Sequence, residues 1–216
     1  MEKFCFIDVE TTGLNPVKNG IHQISGIIDI NRTAKHAFDF RIAPFESDII
    51  IQEALDMSGA TVDQIQKYPD PEITFEKLIG ILDKFINKYD KKDKFIFIGF
   101  NSNFDDGFLR ALFDKNNHDY YGSYFRWPDF CVARMYMERC LTLNQYPTSW
   151  KLKNLAADFK LAKSDDERWH DAMFDIRMTR AFFYILKDWV PGNPKNWGIF
   201  TETNIEEEFL PIKTRT

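Results

Sequence analysis

The residues whose types and spacing could do chemistry in this chain are Asp8, Glu10, Asp105, His170 and Asp175, carried by the segments DVETTGL, NSNFDDGFL and HDAMFDIRM. Four carboxylates are hard oxygen donors, which suit Mg2+ or Mn2+. A histidine beside them titrates near neutral pH and can accept a proton from water. Together they suit phosphodiester cleavage assisted by two divalent ions about 3.5–4 Å apart, which flank an in-line displacement.

The elements that must position these groups can be read from periodicity. Asp8 and Glu10 stand two apart at the end of the apolar run 4–9, so a strand turns both to one face. Thr11, Thr12 and Gly13 end that strand and let backbone approach a ligand. The unbroken apolar run 95–100 predicts a strand buried on both faces in mid-sheet. Phe104, Phe108, Leu109, Leu112 and Phe113 then recur at helical spacing, placing Asp105 near the inward stripe and Asp106 on the outer side of the turn. A buried lone carboxylate is costly, so Asp105 should bind a cation, pair with a base or sit at a wet helix start. Ala172, Ile176, Thr179, Phe183 and Leu186 form a second stripe with Asp175 inside it, and His170 falls at or just before that helix. Each motif alone has an ordinary reading: a solvated strand end, a carboxylate complementing the helix macrodipole, a surface or capping histidine. Their company favours a common site.

The order Asp-x-Glu, Asn-x-x-Phe-Asp, His-x4-Asp resembles the DEDD superfamily of 3′→5′ exonucleases, specifically its histidine-containing (DEDDh) branch. The sister branch carries tyrosine one residue closer to the last aspartate. Segments GFNSNFDD, RWPDFCVAR, SWKLKNLA and HDAMFDI are similar to the nuclease portion of bacterial exonuclease I, and the first motif to proofreading epsilon subunits of DNA polymerase III. Phe100 departs from the histidine that many relatives place before the motif asparagine. The resemblance implies an α/β, ribonuclease H-like fold with a mixed five-stranded sheet flanked by helices. It implies Asp8 bridging two ions, Glu10 and Asp175 completing the water-activating one, Asp105 serving the other and His170 as general base. It also implies substrate contacts from Thr11, Thr12 and Leu14, from Asn101 and Phe104, and from Met57 and Ser58, with Leu14 a wedge against the terminal base. The plain alternatives are loop anchoring for Leu14 and Met57 and helix packing for Phe104.

The expected activity is metal-dependent 3′→5′ hydrolysis of single-stranded DNA to nucleoside 5′-monophosphates. An exoribonuclease of the ribonuclease T or oligoribonuclease type is the alternative, because the contact that reads a 2′-OH is not assignable. A nucleic-acid-binding polymerase-accessory subunit is a further reading, opposed by the intact set of five residues.

The remaining periodicity predicts strands over 24–30 and 37–42 as an antiparallel start, and an amphipathic helix whose stripe runs from Phe75 to Tyr89. A short strand is expected over 130–132, with helices near 133–139 and 152–159. The exonuclease domain is expected over 1–190 and a C-terminal extension over 191–216. Within that extension 191–197 breaks the last helix, and 206–216 is a frayed end or a tether for a polymerase or replication partner.

Composition sets bounds on function. With 216 residues and 44% hydrophobic content the chain can bury one sizeable core. A formal charge of −5 argues against a strongly basic polyanion binder, and two divalent ions would bring the chain close to neutrality. Lys151, Lys153, Lys160 and Lys163, upstream of His170, could track a strand backbone or form a solvated helix face. The lysines between 90 and 94 read as an exposed turn. Three cysteines without a CxxC pair suggest neither a disulfide framework nor a zinc site. A reducing, cytoplasmic setting is expected, with no signal peptide or membrane span.

Overall fold

The computed structural model describes residues 1–189. In chain order its elements are β1 (Lys3–Thr11), β2 (Ile21–Ile30), β3 (Thr33–Arg41), α1 (Gln52–Ser58), α2 (Val62–Ile65), α3 (Pro71–Leu82), β4 (Phe95–Gly99), α4 (Ser102–Lys115), α5 (Tyr121–Tyr124), β5 (Phe125–Cys131), α6 (Val132–Leu143), α7 (Leu152–Asp158) and α8 (Ala172–Lys187). The strands form one sheet in the order β3-β2-β1-β4-β5. β1 and β3 each run antiparallel to β2, whereas β4 runs parallel to β1 and β5 parallel to β4. This is the expected mixed five-stranded sheet, flanked by helices in a ribonuclease H-like fold.

Each face of the sheet carries its own core. Strand alternation sends Cys5, Ile7 and Val9 of β1 into a cluster with Phe75, Leu78, Phe108 and Phe113 of α3 and α4. Phe4 and Phe6 point the other way, into a cluster with Val132, Leu155, Phe182 and Ile185 of α6, α7 and α8. Phe183 lies with its ring centroid 5.4 Å from those of both Phe4 and Phe6. Each fully buried phenylalanine of this kind contributes about 1.5–3 kcal/mol by leaving water. Asp8 and Glu10 continue the Phe4–Phe6 face, so the acids occupy positions where the pattern would otherwise place core residues.

Several elements differ from their sequence-based bounds. β2 and β3 begin earlier than expected, and β5 starts at Phe125 rather than at 130. α3 starts on Pro71, with Asp70 accepting from the backbone N–H groups of Glu72 (2.8 Å) and Ile73 (3.2 Å). It ends at Leu82, and the stripe beyond it is carried by turns: Ile86 is buried, Phe85 half-buried and Tyr89 exposed. Asp106, expected on the outer side, is only 9% exposed. It accepts from Arg110 Nε at 2.6 Å and from the Tyr121 hydroxyl, because α5 folds back over that turn. Residues 191–216, with the expected extension and helix break, lie outside the described residues.

Candidate active site

Asp8 and Glu10 occupy the C-terminal half of β1, paired in register with Ser25 and Gln23 of β2. Their face is capped by the start of α8. Glu10, His170 and Asp175 each bring a ligand-type atom to within 4.8 Å of the others. Asp105 arrives from the first turn of α4, 5% exposed, and its Oδ1 accepts from the Val9 backbone N–H at 3.2 Å. Gly99 makes this approach possible: a Cβ there would lie 3.3 Å from Asp105 Oδ2 and 3.1 Å from Ser102 Cα. The three sequence motifs thus meet on β1, held by α4 on one side and α8 on the other.

His170 precedes α8 with φ of 71°, in the left-handed region that a non-glycine residue adopts only when its surroundings impose it. Those surroundings are specific. Trp169 donates its indole N–H to the Lys163 carbonyl at 2.8 Å and packs on Phe174, with centroids 4.9 Å apart. On the other side Asp171 caps α8 by accepting from the Phe174 N–H at 3.1 Å. Asp171 Oδ2 also receives Gln23 Nε2 and Arg41 Nη2, each at 3.2 Å, while Arg41 Nη1 reaches Gln23 Oε1 at 2.7 Å. Gln23 faces Glu10 on β1 and Arg41 on β3, so this network ties the histidine turn to the sheet beside the acids. Sequence reasoning missed Asp171, Gln23 and Arg41. An aspartate directly before a helical stripe is a capping signal, but Gln23 and Arg41 are identified only by strand register.

The acids strain against one another. Burial, then Asp105, Asp175, Glu10 and Asp171, hold Asp8 well above the usual carboxylate range. Glu10 is pushed up to about 8 by burial and by Asp175, Asp105 and Asp171, with Arg41 opposing. Asp105 rises to about 8 through burial, against the stabilising Val9 N–H. Asp175 rises to about 7 through burial and Asp171, with the His170 backbone opposing. Among the described residues, Asp175 Oδ1 is also buried without a hydrogen-bond partner. An orphaned carboxylate oxygen among three further acids is what a hard-cation site looks like before its charge is balanced, so the residues fit divalent metal. His170 moves the other way: burial, then Lys153 and Lys151, lower it, which keeps the ring neutral at pH 7.

The other expected contact residues are placed around this centre unevenly. Thr12 is fully buried, and its hydroxyl donates to the Ile49 carbonyl and accepts from the Gly20 N–H, both at 2.9 Å. The Thr11 hydroxyl donates to the Gly13 carbonyl at 2.7 Å. Both hydroxyls therefore hold the loop after β1. Gly13 is required there because a Cβ would lie 2.5 Å from the Asn19 side chain. That loop presents Leu14, 80% exposed. Asn101 is exposed at the N-terminal boundary of α4, without a side-chain capping bond. Phe104 is half-buried, 4.9 Å from Phe108. Met57 is exposed on the last turn of α1, and the Ser58 hydroxyl lies 3.2 Å from His22 Nε2 and donates to the Leu55 carbonyl.

The family model described as "Exonuclease" matches residues 5–183. The chain belongs to the exonuclease family. Its members are hydrolytic enzymes, and the acid cluster fits the divalent metal that the family uses. The chain is similar to the 3′-5′ DNA exonuclease Cap18 of Escherichia coli, 24% identical over 186 residues that cover 86% of this chain and 91% of that protein. Its fold is similar to E. coli exonuclease I, solved in complex with a dT13 oligonucleotide. There the TM-score is 0.70 at 20% identity, over 87% of this chain and 41% of that one. A zinc-bound complex of exonuclease I with single-stranded DNA matches with a TM-score of 0.66 at 21% identity, over 84% and 39% of the two chains. The exonuclease thus spans less than half the length of these solved chains. No described helix is long and apolar enough to cross a membrane.

Proposed function

We propose that this exonuclease is a metal-dependent 3′→5′ enzyme of the histidine-containing branch, releasing nucleoside 5′-monophosphates from single-stranded DNA. The observation that carries the reading is the convergence of Glu10, His170 and Asp175 within 4.8 Å, beside Asp8 and the buried Asp105. Residues 1–190 are assigned as the catalytic domain. DNA is favoured over RNA because Cap18 is described as a DNA exonuclease and exonuclease I was solved with DNA. A reducing, cytoplasmic location is consistent with three free cysteines.

Asp8, Glu10, Asp105 and Asp175 would hold two Mg2+ or Mn2+ ions. Bound there, the ions supply Lewis acidity and positive charge at the phosphate and at the leaving 3′ oxygen. His170, neutral at pH 7, takes one proton from the attacking water. The water oxygen forms a bond to phosphorus and the P–O3′ bond breaks opposite it. The departing O3′ takes a proton from solvent water and the imidazolium of His170 returns its proton to solvent, so the products are a nucleoside 5′-monophosphate and a strand one nucleotide shorter ending in a 3′-OH. The left-handed turn braced by Trp169 and Asp171 aims the imidazole across this line. Leu14, exposed on a loop whose threonines are committed to holding it, serves as the wedge at the terminal base. Phe104 and Asn101 flank the sugar from the start of α4, with Met57 and Ser58 at the far side.

The test is digestion of matched 5′-labelled single-stranded DNA and RNA with Mg2+, Mn2+ or chelator, beside Asp8→Ala. A metal-dependent ladder shortening from the 3′ end, stronger on DNA and absent in Asp8→Ala, is the expected result. Equal or faster shortening of RNA would replace DNA as the assigned substrate, and strand binding without cleavage would remove the enzymatic reading.

A further inference from the structure

At the end of the sheet opposite the acids, the turn before β4 and the start of β5 enclose an open groove of about 670 Å³. Lys91, Lys92, Lys94 and Arg126 line it, together with Gly122 and Trp127. Among the described residues, no carboxylate lines it. The acids of the same turn already have partners: Asp93 accepts from Lys3 Nζ at 2.5 Å and the Asn87 N–H at 2.9 Å, and Asp90 from the Lys92 backbone N–H at 2.8 Å. Lys94 Nζ donates to the Gly122 carbonyl and Arg126 Nη2 to the Lys92 carbonyl at 3.2 Å, so carbonyls rather than carboxylates hold these two side chains at the groove. Trp127 leaves 82% of its surface in water, a costly position for the largest apolar side chain.

We infer that this groove is a second strand-binding site, in which the cations take phosphates of single-stranded nucleic acid and Trp127 stacks on a base. Clustered cations with one exposed aromatic face are the means by which proteins hold single strands without reading sequence. The location adds a reason. The chain carries a net −5 and its centre is acidic, so a polyanion approaching the acids is repelled until the ions are in place. The groove supplies attraction where the centre cannot. Phe6 pairs with Ile98, so Asp8 stands level with residue 100, five residues beyond Phe95 at the groove. At about 3.3 Å per residue the two sites are roughly 17 Å apart, and the edge strand β5 runs between those ends. A long substrate can occupy both sites, and a single nucleotide cannot. This inference rests on the nuclease reading for its choice of ligand.

The experiment pairs a long 5′-labelled oligothymidylate with p-nitrophenyl thymidine 5′-monophosphate, an ester too small to reach the groove. Anisotropy in chelator, where the acidic centre cannot hold phosphate, compares wild type with Lys91→Gln/Lys92→Gln/Arg126→Gln and with Trp127→Ala over a salt series. The triple variant is expected to lose about tenfold or more in affinity at low salt. Its slope of log affinity against log salt should shrink by about 0.7 for each phosphate contact removed. Trp127→Ala should lose about fivefold or more. Ester hydrolysis with Mn2+ should stay at the wild-type rate in both. Unchanged oligothymidylate affinity and salt slope in both variants would overturn the inference, as would an oligoglutamate peptide that outcompetes the strand. A wild-type enzyme that fails to hydrolyse the ester would sink the nuclease reading instead, and the anisotropy series would still decide the groove.

Discussion

Five residues apart on α8, Asp175 and Arg180 each press a charge against the central strands, and the two junctions are built on opposite plans. Arg180 Nε reaches Asp29 of β2 at 2.8 and 3.0 Å, and the Tyr184 hydroxyl adds a third bond at 2.6 Å. Asp29 and Arg180 are both buried, and that junction is balanced. Asp175 instead faces Asp8 and Glu10, with one oxygen unpartnered. The difference shows how a fold can hold a repulsive cluster. The balanced pair and the phenylalanines around Phe183 anchor the helix, so its first turn can be held over acids that would otherwise push it away.

This comparison can be broken in several ways, beginning with catalysis. His170→Ala should lower kcat by about 10²–10⁴-fold, the span of a general base, while leaving divalent binding measured by calorimetry intact. A near-normal rate would remove His170 from that role. Arg180→Ala should cost about 3–5 kcal/mol in a denaturant titration, because it strands the buried Asp29 charge. A loss below 1 kcal/mol would mean that the phenylalanines alone anchor α8. Asp175→Asn should do the reverse in chelator at pH 8, where the crowded acids lose their protons, raising stability by roughly 1–3 kcal/mol as one charge disappears, while abolishing turnover. Destabilisation by that variant would show that the acids are not in repulsion.

Proton linkage sharpens the same contrast. Asp8, Glu10, Asp105 and Asp175 keep protons that the unfolded chain releases near pH 4, so the native state binds more protons between about pH 4 and 8. Metal-free stability should therefore be fullest below pH 4 with respect to these groups and fall as pH rises to about 8. Melting temperatures in chelator at pH 5 and 8 check the sign, and divalent ions should restore the loss at pH 8. A rise with pH would contradict the crowding. The smallest effect is expected at the histidine turn. Asp171→Ala removes a cap worth about 1 kcal/mol, and kcat should fall more than KM changes if the turn's only task is to aim His170. The Arg41 contact adds little to stability, since both side chains are about two-fifths exposed.

Much of this arrangement is legible in the sequence. Alternation along β1 puts Asp8 and Glu10 on one face, and the stripes of α4 and α8 draw Asp105 and Asp175 inward. Local periodicity is short-range physics and survives without a partner. The burial of Asp106 is not legible from helical spacing, because it depends on Tyr121, fifteen residues away on a separate turn. The apolar stripe runs past the end of α3 at Leu82 because Phe85 and Ile86 pack inward from turns, which spacing alone does not distinguish from helix. Thr11 and Thr12 read as substrate contacts from their position after the first motif; that their hydroxyls also bond the Gly13 and Ile49 carbonyls depends on how the chain folds around them.

By itself the sequence determined which residues carry the chemistry, their order along the chain and the face of each element they occupy, since residue type and helical or strand period are local properties. Only the tertiary structure decided that three segments meet on β1, that Gln23 and Arg41 hold the histidine turn, and that four cations gather around Trp127 at the far end of the sheet. Those outcomes depend on strand order and register, which are set by the joint burial of two cores rather than by any one segment.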